Sequence, residues 1–203
     1  MIQSKAEYRY YLQCDKLAMK KTTRCPRFKH DIIWTFLRLM RKCEYYENCR
    51  KDLVGRLYAK YLKYRYVVLS QRLGFSIGFN TCGPGLCIEH YGCVIINQHA
   101  RLGANCRIIG NAVVGATVDD KVPVIGDNVF IGFGAAIIGD VTVADGVAIG
   151  ANAVVSRSIA TPDVTIGGIP ASIISPRGSA QYIRKATEVM DTLENSKRNE
   201  GID

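Results

Sequence analysis

Long apolar runs are missing from this chain of 203 residues, and that absence narrows its class first. No stretch of 18 or more apolar residues offers a membrane-spanning helix, and Met1 to Lys21 lacks the uninterrupted apolar core of a secretory leader. The cytoplasm is therefore the expected compartment. Histidine is scarce, with three copies, so the choice of an imidazole base is narrow. The eight cysteines contain no C-x-x-C pair, so free thiols are expected rather than disulfides or a structural zinc, and no metal site is expected. Acidic residues are few in the first third. Residues 1–73 hold 18 Lys and Arg against 6 Asp and Glu, while residues 74–203 hold 9 against 12. No known nucleic-acid motif accompanies the basic charge, so nucleic acid is not an expected partner.

What is abundant is a beat of six. Aliphatic residues stand at Leu102, Ile108 and Val114, and then at Ile125, Ile131, Ile137, Val143, Ile149 and Val155. Small or β-branched residues follow four places on, as at Ala112, Val129, Ala135, Val141, Val147 and Ala153, and Cys106 takes that place after Leu102 as a compact hydrophobe. A helix repeats near 3.6 and a half-buried strand at two, so neither explains a period of six. Hexapeptide repeats of this kind build a parallel β-helix, in which each unit is a short strand plus a corner and three units close one coil. A single coil cannot bury its own inner face, so the array is stable only as a stack. Extending the register gives a solenoid over residues 74–175, preceded by a basic helical region, 1–73, and followed by a tail, 176–203, with a short helix near 180–195.

Two helices are legible in the N-terminal region. Asp31 stands where it caps a run of Ile32, Ile33, Phe36, Leu37, Leu39 and Met40, and Leu53, Leu57, Tyr61, Tyr64, Val68 and Leu69 continue the three-four spacing. The second is both basic and tyrosine-rich, which fits packing against a partner subunit, or contact with an anionic membrane surface or an acidic polymer.

Of the histidines, His30 lies among the basic helices and His99 at an outward place in a hexad. Counting back by sixes from Leu102 through Ile96, the inward or corner register reaches His90, where an imidazole takes the place of the expected aliphatic residue. A polar group there needs a partner or a task. Its setting is Gly83-Pro84-Gly85-Leu86-Cys87-Ile88-Glu89-His90-Tyr91-Gly92.

The stretch from Gly85 to Gly92, followed by Val94-Ile95-Ile96-Asn97, resembles the active-site strand of the serine acetyltransferase family of hexapeptide-repeat acyltransferases. The segments Ile149-Gly150-Ala151-Asn152-Ala153-Val154-Val155 and Gly167-Gly168-Ile169-Pro170-Ala171 resemble its coenzyme-binding end. The resemblance covers about half the chain. The short basic region before it is closer in character to that of capsule and lipopolysaccharide acetyltransferases. The resemblance implies a left-handed parallel β-helix, acetyl-CoA as co-substrate, a homotrimer with each active site between two solenoids, and His90 as general base on an acceptor hydroxyl. A histidine titrates near neutral pH and can take and return that proton. By position, the coenzyme groove falls to Ala116, Thr117, Phe133, Gly134, Ala151 and Asn152, with Lys121 and Arg157 as phosphate partners.

The acceptor site departs from the family pattern. Where family members pair the histidine with an aspartate about fifteen residues upstream, this chain has Phe75; where they place a second histidine before a proline, it has Val122 before Pro123. Charged partners for serine are thus missing, and Phe75 suits a sugar ring. Glu89, Asp119 or Asp120 are the carboxylates available to the acceptor. The interval from Val114 to Ile125 is eleven residues, so 116–123 leaves the register as a loop bordering that site. The expected activity is O-acetylation of a sugar hydroxyl in surface polysaccharide synthesis. Serine O-acetylation, as in cysteine biosynthesis, is the first alternative, and a non-catalytic β-helix scaffold the second.

Overall fold

In a computed structural model of the chain, residues 1–27, 30–117 and 120–199 are described, with side chains to residue 196. Three helices come first: α1 (Lys5–Ala18), α2 (Ile32–Cys49) and α3 (Leu53–Leu73). Ser4 caps α1 by accepting from the Glu7 N–H, and Asp52 caps α3 by accepting from Gly55. Asp31 precedes α2 as expected but makes no cap bond. Its carboxylate instead accepts from Lys21 Nζ at 2.5 Å and from the Arg27 N–H at 2.9 Å. Gly74, in the left-handed region at φ 74°, ends α3 and turns the chain into the solenoid.

The solenoid then winds as a stack of coils. The first holds β1 (Phe75–Ile77) and β2 (Cys87–Ile88); the second β3 (Val94–Ile96), β4 (Arg101–Leu102) and β5 (Arg107–Ile108). The third holds β6 (Val113–Gly115), β7 (Val124–Ile125) and β8 (Phe130–Ile131), and the fourth β9 (Ala136–Ile138), β10 (Thr142–Val143) and β11 (Ala148–Ile149). The last holds β12 (Val154–Val155) and β13 (Thr165–Gly168), after which β14 (Ala171–Ser175) returns antiparallel along β13. Three parallel faces result: β1-β3-β6-β9-β12, β4-β7-β10, and β2-β5-β8-β11-β13 with β14 at its edge.

The beat of six is the inward register. Ile88, Ile108, Ile131, Ile149 and Ile166 pair in sequence along one face, and Ile96, Val114, Ile137 and Val155 along another. All are buried. Stacking leaves no room for side chains at some corners: a Cβ on Gly132 would stand 2.7 Å from the backbone of Ala151 and Ile149.

The helices close the first coil. Phe36, Leu37 and Met40 from α2, with Leu62 and Tyr66 from α3, join the same core as Phe75 and Ile77. A buried charge cluster fixes the docking. The Arg41 guanidinium, fully buried, donates to Asp15 at 2.8 Å, to Glu44 at 3.1 Å, and to the carbonyls of Cys82 and Gly83 at 2.8 and 2.7 Å. Asp15 in turn accepts from the backbone N–H groups of Gly85 and Leu86, both at 2.9 Å, and Glu44 accepts from that of Asn80. At the other end of the chain, α4 (Ala186–Asn199) lies against α1, with Tyr10 Oη donating to Asp191 and Thr187 bonded in both directions to Asn105. Among the described residues no helix is long and apolar enough to cross a membrane.

Candidate active site

The corner that follows the β2-β5-β8-β11 face carries His90. Counting by sixes leaves position 90 inward or at a corner, and the structure puts it at the corner: Ile88 is the inward residue, paired with Ile108, and His90 is exposed two places further on. The reason is local. Ile88 and Ile96 are eight residues apart, whereas their partners Ile108 and Val114 are six apart, so the first coil spends two extra residues on this corner. The enlarged corner is tied down by main-chain bonds, from His90 N–H to Ile109 O at 3.2 Å and from Gly92 N–H to Leu73 O at 2.8 Å, with Cys93 N–H donating to the Asn111 side chain. An imidazole held outward on a pinned backbone is placed to meet a reactant in solution rather than to fill the core.

Successive coils put equivalent residues in a column beside it. Two places after each inward isoleucine come His90, Gly110, Phe133, Ala151 and Gly168. Gly110 sits between the first and the third members: a Cβ there would lie 3.5 Å from the His90 Cβ and 3.6 Å from the Phe133 ring, on a backbone at φ 150° that other residues resist. The missing side chain leaves a shallow seat between imidazole and phenyl ring, and Phe133, 46% exposed, forms its far wall. Gly134 and Asn152 stack in the next step of the same corner, where Asn152 donates its N–H to Phe133 O at 2.8 Å.

The remaining coenzyme candidates occupy a different corner. Ala116 and Thr117 follow β6, and Arg157 follows β12, on the edge after the β1-β3-β6-β9-β12 face. Lys121 belongs to the same edge, where it pairs with Asp140 at 3.1 Å and its carbonyl accepts from the Thr117 N–H. Asp120 stands beside it at φ 56°, and Asp119 lies outside the described residues. Within one chain, then, the structure groups Phe133, Gly134, Ala151 and Asn152 with His90 and sets Ala116, Thr117, Asp120, Lys121 and Arg157 apart.

Two acceptor-site expectations change. Phe75 is 4% exposed and meets Phe36 edge-on at 5.1 Å, so it is part of the core beneath the helices and does not face an acceptor. Glu89 is surface-accessible, but its carboxylate is already engaged, accepting from Arg107 Nε at 2.9 Å and from the Cys87 thiol at 3.3 Å. Arg107 also donates to Tyr182 O at 2.5 Å, which joins the tail to this strand. These residues border a hollow of about 250 Å³ with Lys20, Asn105 and Arg184. The charge cluster of Asp15, Arg41 and Glu44 was not foreseen from the sequence. Its signal is the row Ile33, Leu37, Arg41, four residues apart, which puts an arginine on the apolar stripe of α2.

The fold and the repeated corner define a hexapeptide-repeat β-solenoid protein, and the family model described as bacterial transferase hexapeptide (six repeats) matches residues 123–157. Several serine acetyltransferases are among the proteins it is similar to. The chain is 35% identical over 129 residues to the serine acetyltransferase of Staphylococcus xylosus, an alignment covering 58% of this chain and 59% of that protein. It is 36% identical over 106 residues to the mitochondrial serine acetyltransferase 3 of Arabidopsis thaliana, covering 49% of this chain and 27% of that one. The chain thus spans less than two thirds of the length of these relatives. Among solved structures, the serine acetyltransferase of Brucella abortus strain S19 in complex with coenzyme A superposes with a TM-score of 0.66 at 26% identity, over 86% of this chain and 70% of that one. These likenesses overturn the sugar acceptor expected from the sequence, and with it a role in polysaccharide synthesis. The sugar-ring contact assigned to Phe75 goes too, since Phe75 is a core residue.

Proposed function

We propose that the chain is an acetyl-CoA-dependent serine O-acetyltransferase with His90 as its general base. The observation that carries this reading is the outward His90 on a pinned corner, beside a seat opened by Gly110, in a solenoid akin to serine acetyltransferases. In the reaction His90 takes the proton from the serine hydroxyl as its oxygen attacks the thioester carbonyl carbon. The C–O bond forms, the oxyanion is met by corner N–H groups, and the C–S bond then breaks. The imidazolium returns the proton to the departing thiolate, so no covalent enzyme intermediate is required. Histidine suits both halves because its ordinary pKa lies near neutrality.

The assembly proposed is a homotrimer. The two groups of candidate coenzyme residues occupy different corners of one prism, so a second protomer is what brings Ala116, Thr117, Lys121 and Arg157 opposite a neighbour's His90, Phe133 and Ala151. The pantetheine arm then runs between two solenoids, over small residues that let it lie close to the backbone, while Lys121 and Arg157 meet phosphate. Asp120, on the loop of the same edge, is the carboxylate offered to the serine ammonium. Coenzyme A binding measured by calorimetry, together with the mass in solution by light scattering, tests this arrangement. A trimer that binds one coenzyme per protomer supports it, and a monomer that binds none removes the shared groove.

A further inference from the structure

Helix α3 faces two environments and is apolar toward both. Its buried side presents Gly55, Ala59, Leu62, Tyr66, Ser70 and Leu73 to the core. At 100° per residue the opposite side collects Leu53, Leu57, Tyr61, Tyr64 and Val68, and of these Leu53, Leu57, Tyr61 and Tyr64 are between 51% and 73% exposed. The same geometry puts Arg56, Lys60 and Lys63 along one margin of the stripe and Arg65 and Arg72 along the other. The helix contains no acidic residue. Lys63 pairs with Glu47 of α2; among the described residues Arg56, Lys60, Arg65 and Arg72 have no ion pair. Beside the stripe, a groove of about 590 Å³ between α2 and α3 is lined by Ile32, Leu39, Tyr61, Tyr64, Arg65 and Arg72.

We infer that this face of α3 docks the protein on an anionic membrane surface. A contiguous exposed row of large apolar side chains marks a contact site, and the charges select the occupant. A second copy of the helix would bring five cations against five with no carboxylate on either. A dissolved acidic polymer would meet the cations but leave Leu57 and Tyr64 in water. A bilayer of anionic lipid answers both features: side chains of the stripe enter the headgroup boundary, tyrosines sit at that level, and the flanking cations meet phosphate. Because the other face of α3 is already packed, the helix is about 31 Å of preformed rod that lies in the plane of the surface without a folding step.

Co-flotation of the full chain with lipid vesicles tests this. At about 0.1 M salt the chain is expected to float with phosphatidylcholine vesicles containing about 30% phosphatidylglycerol and to remain in solution with phosphatidylcholine alone. Each cation near such a surface contributes about fivefold, so Lys60→Gln with Arg65→Gln lowers the partition coefficient about thirtyfold. Leu57→Asn with Tyr64→Asn lowers it as well. All four side chains are exposed, so a native circular-dichroism spectrum is expected from both variants. The inference is overturned if the wild-type chain stays in solution with anionic vesicles, if either pair of substitutions leaves flotation unchanged, or if a lipid-free dimer forms that Leu57→Asn with Tyr64→Asn disperses.

Discussion

Removing one carboxylate, in Asp15→Ala, should loosen the whole N-terminal closure of the solenoid. Asp15 is 2% exposed and answers four donors: two from Arg41, at 2.8 and 3.4 Å, and the backbone N–H groups of Gly85 and Leu86. The substitution leaves a buried guanidinium with Glu44 as its one carboxylate and strands two main-chain donors. Breaking a buried pair from one side costs about 3–5 kcal/mol, because the remaining charge stays out of water without its partner. In a chain of this length each kcal/mol moves the midpoint by about 2–4 °C, so thermal unfolding should shift down by about 6–20 °C. The effect has a functional arm, since Gly85 and Leu86 lead directly through β2 into the corner that presents His90. Acetyl transfer measured well below the new midpoint should therefore fall, while coenzyme binding changes less. Differential scanning calorimetry decides the first arm. A shift of less than about 2 °C would mean that Arg41 finds compensation elsewhere and that the cluster is not what holds α1 to the first coil.

Other consequences are smaller and independent. Gly132→Ala forces a Cβ to within 2.7 Å of backbone atoms in the next coil, so it should cost about 2 kcal/mol by overpacking, read as a lower denaturant midpoint. Gly110→Val fills the seat between His90 and Phe133 and should reduce turnover more than it reduces stability, seen by comparing kcat with the unfolding midpoint. Burial pushes the Cys106 thiol up to about 12 and places Cys14, Cys43, Cys82 and Cys87 in the interior as well. These five should resist a thiol-reactive chromophore at pH 8 until the chain is unfolded, a result that fast native modification of any of them would contradict. Asp52 is held down to about 2, first by its hydrogen bonds from Arg50 and then by the Gly55 N–H it caps. A depressed carboxyl stabilises the fold above its unfolded value of 3.8, and that contribution is lost as pH falls through about 2. Asp52→Asn should flatten this part of the acid limb while leaving the neutral-pH helix content intact.

The solenoid could be read from the chain because its core is one-dimensional. Residues such as Ile131, Ile137, Val143 and Ile149 each meet equivalents above and below, so the spatial period and the sequence period coincide. Periodic counting fails where a corner changes length. Two extra residues between Ile88 and Ile96 decide that His90 stands outward at the corner and not in the inward row, and the sixes on either side carry no trace of the insertion. Phe75 was misread for a related reason: a position matched along the chain says nothing about what packs over it, and here Phe36 of α2 does. The grouping of coenzyme candidates onto two corners likewise needed the coil closure, because corners that follow one another in sequence alternate between edges of the prism. The tail helix near 180–195 is α4, displaced a few residues along the chain, whereas α1 could not be told apart within the basic helical region. Their contacts, such as Tyr10 with Asp191, join residues far apart in the chain.

The most direct test of the account is the rate of serine-dependent thiol release from acetyl-CoA by the wild-type chain and by His90→Ala. General-base removal should lower that rate by about 10²–10⁴-fold, with coenzyme A still bound and the unfolding midpoint unchanged. A His90→Ala chain that acetylates serine at the wild-type rate would contradict it.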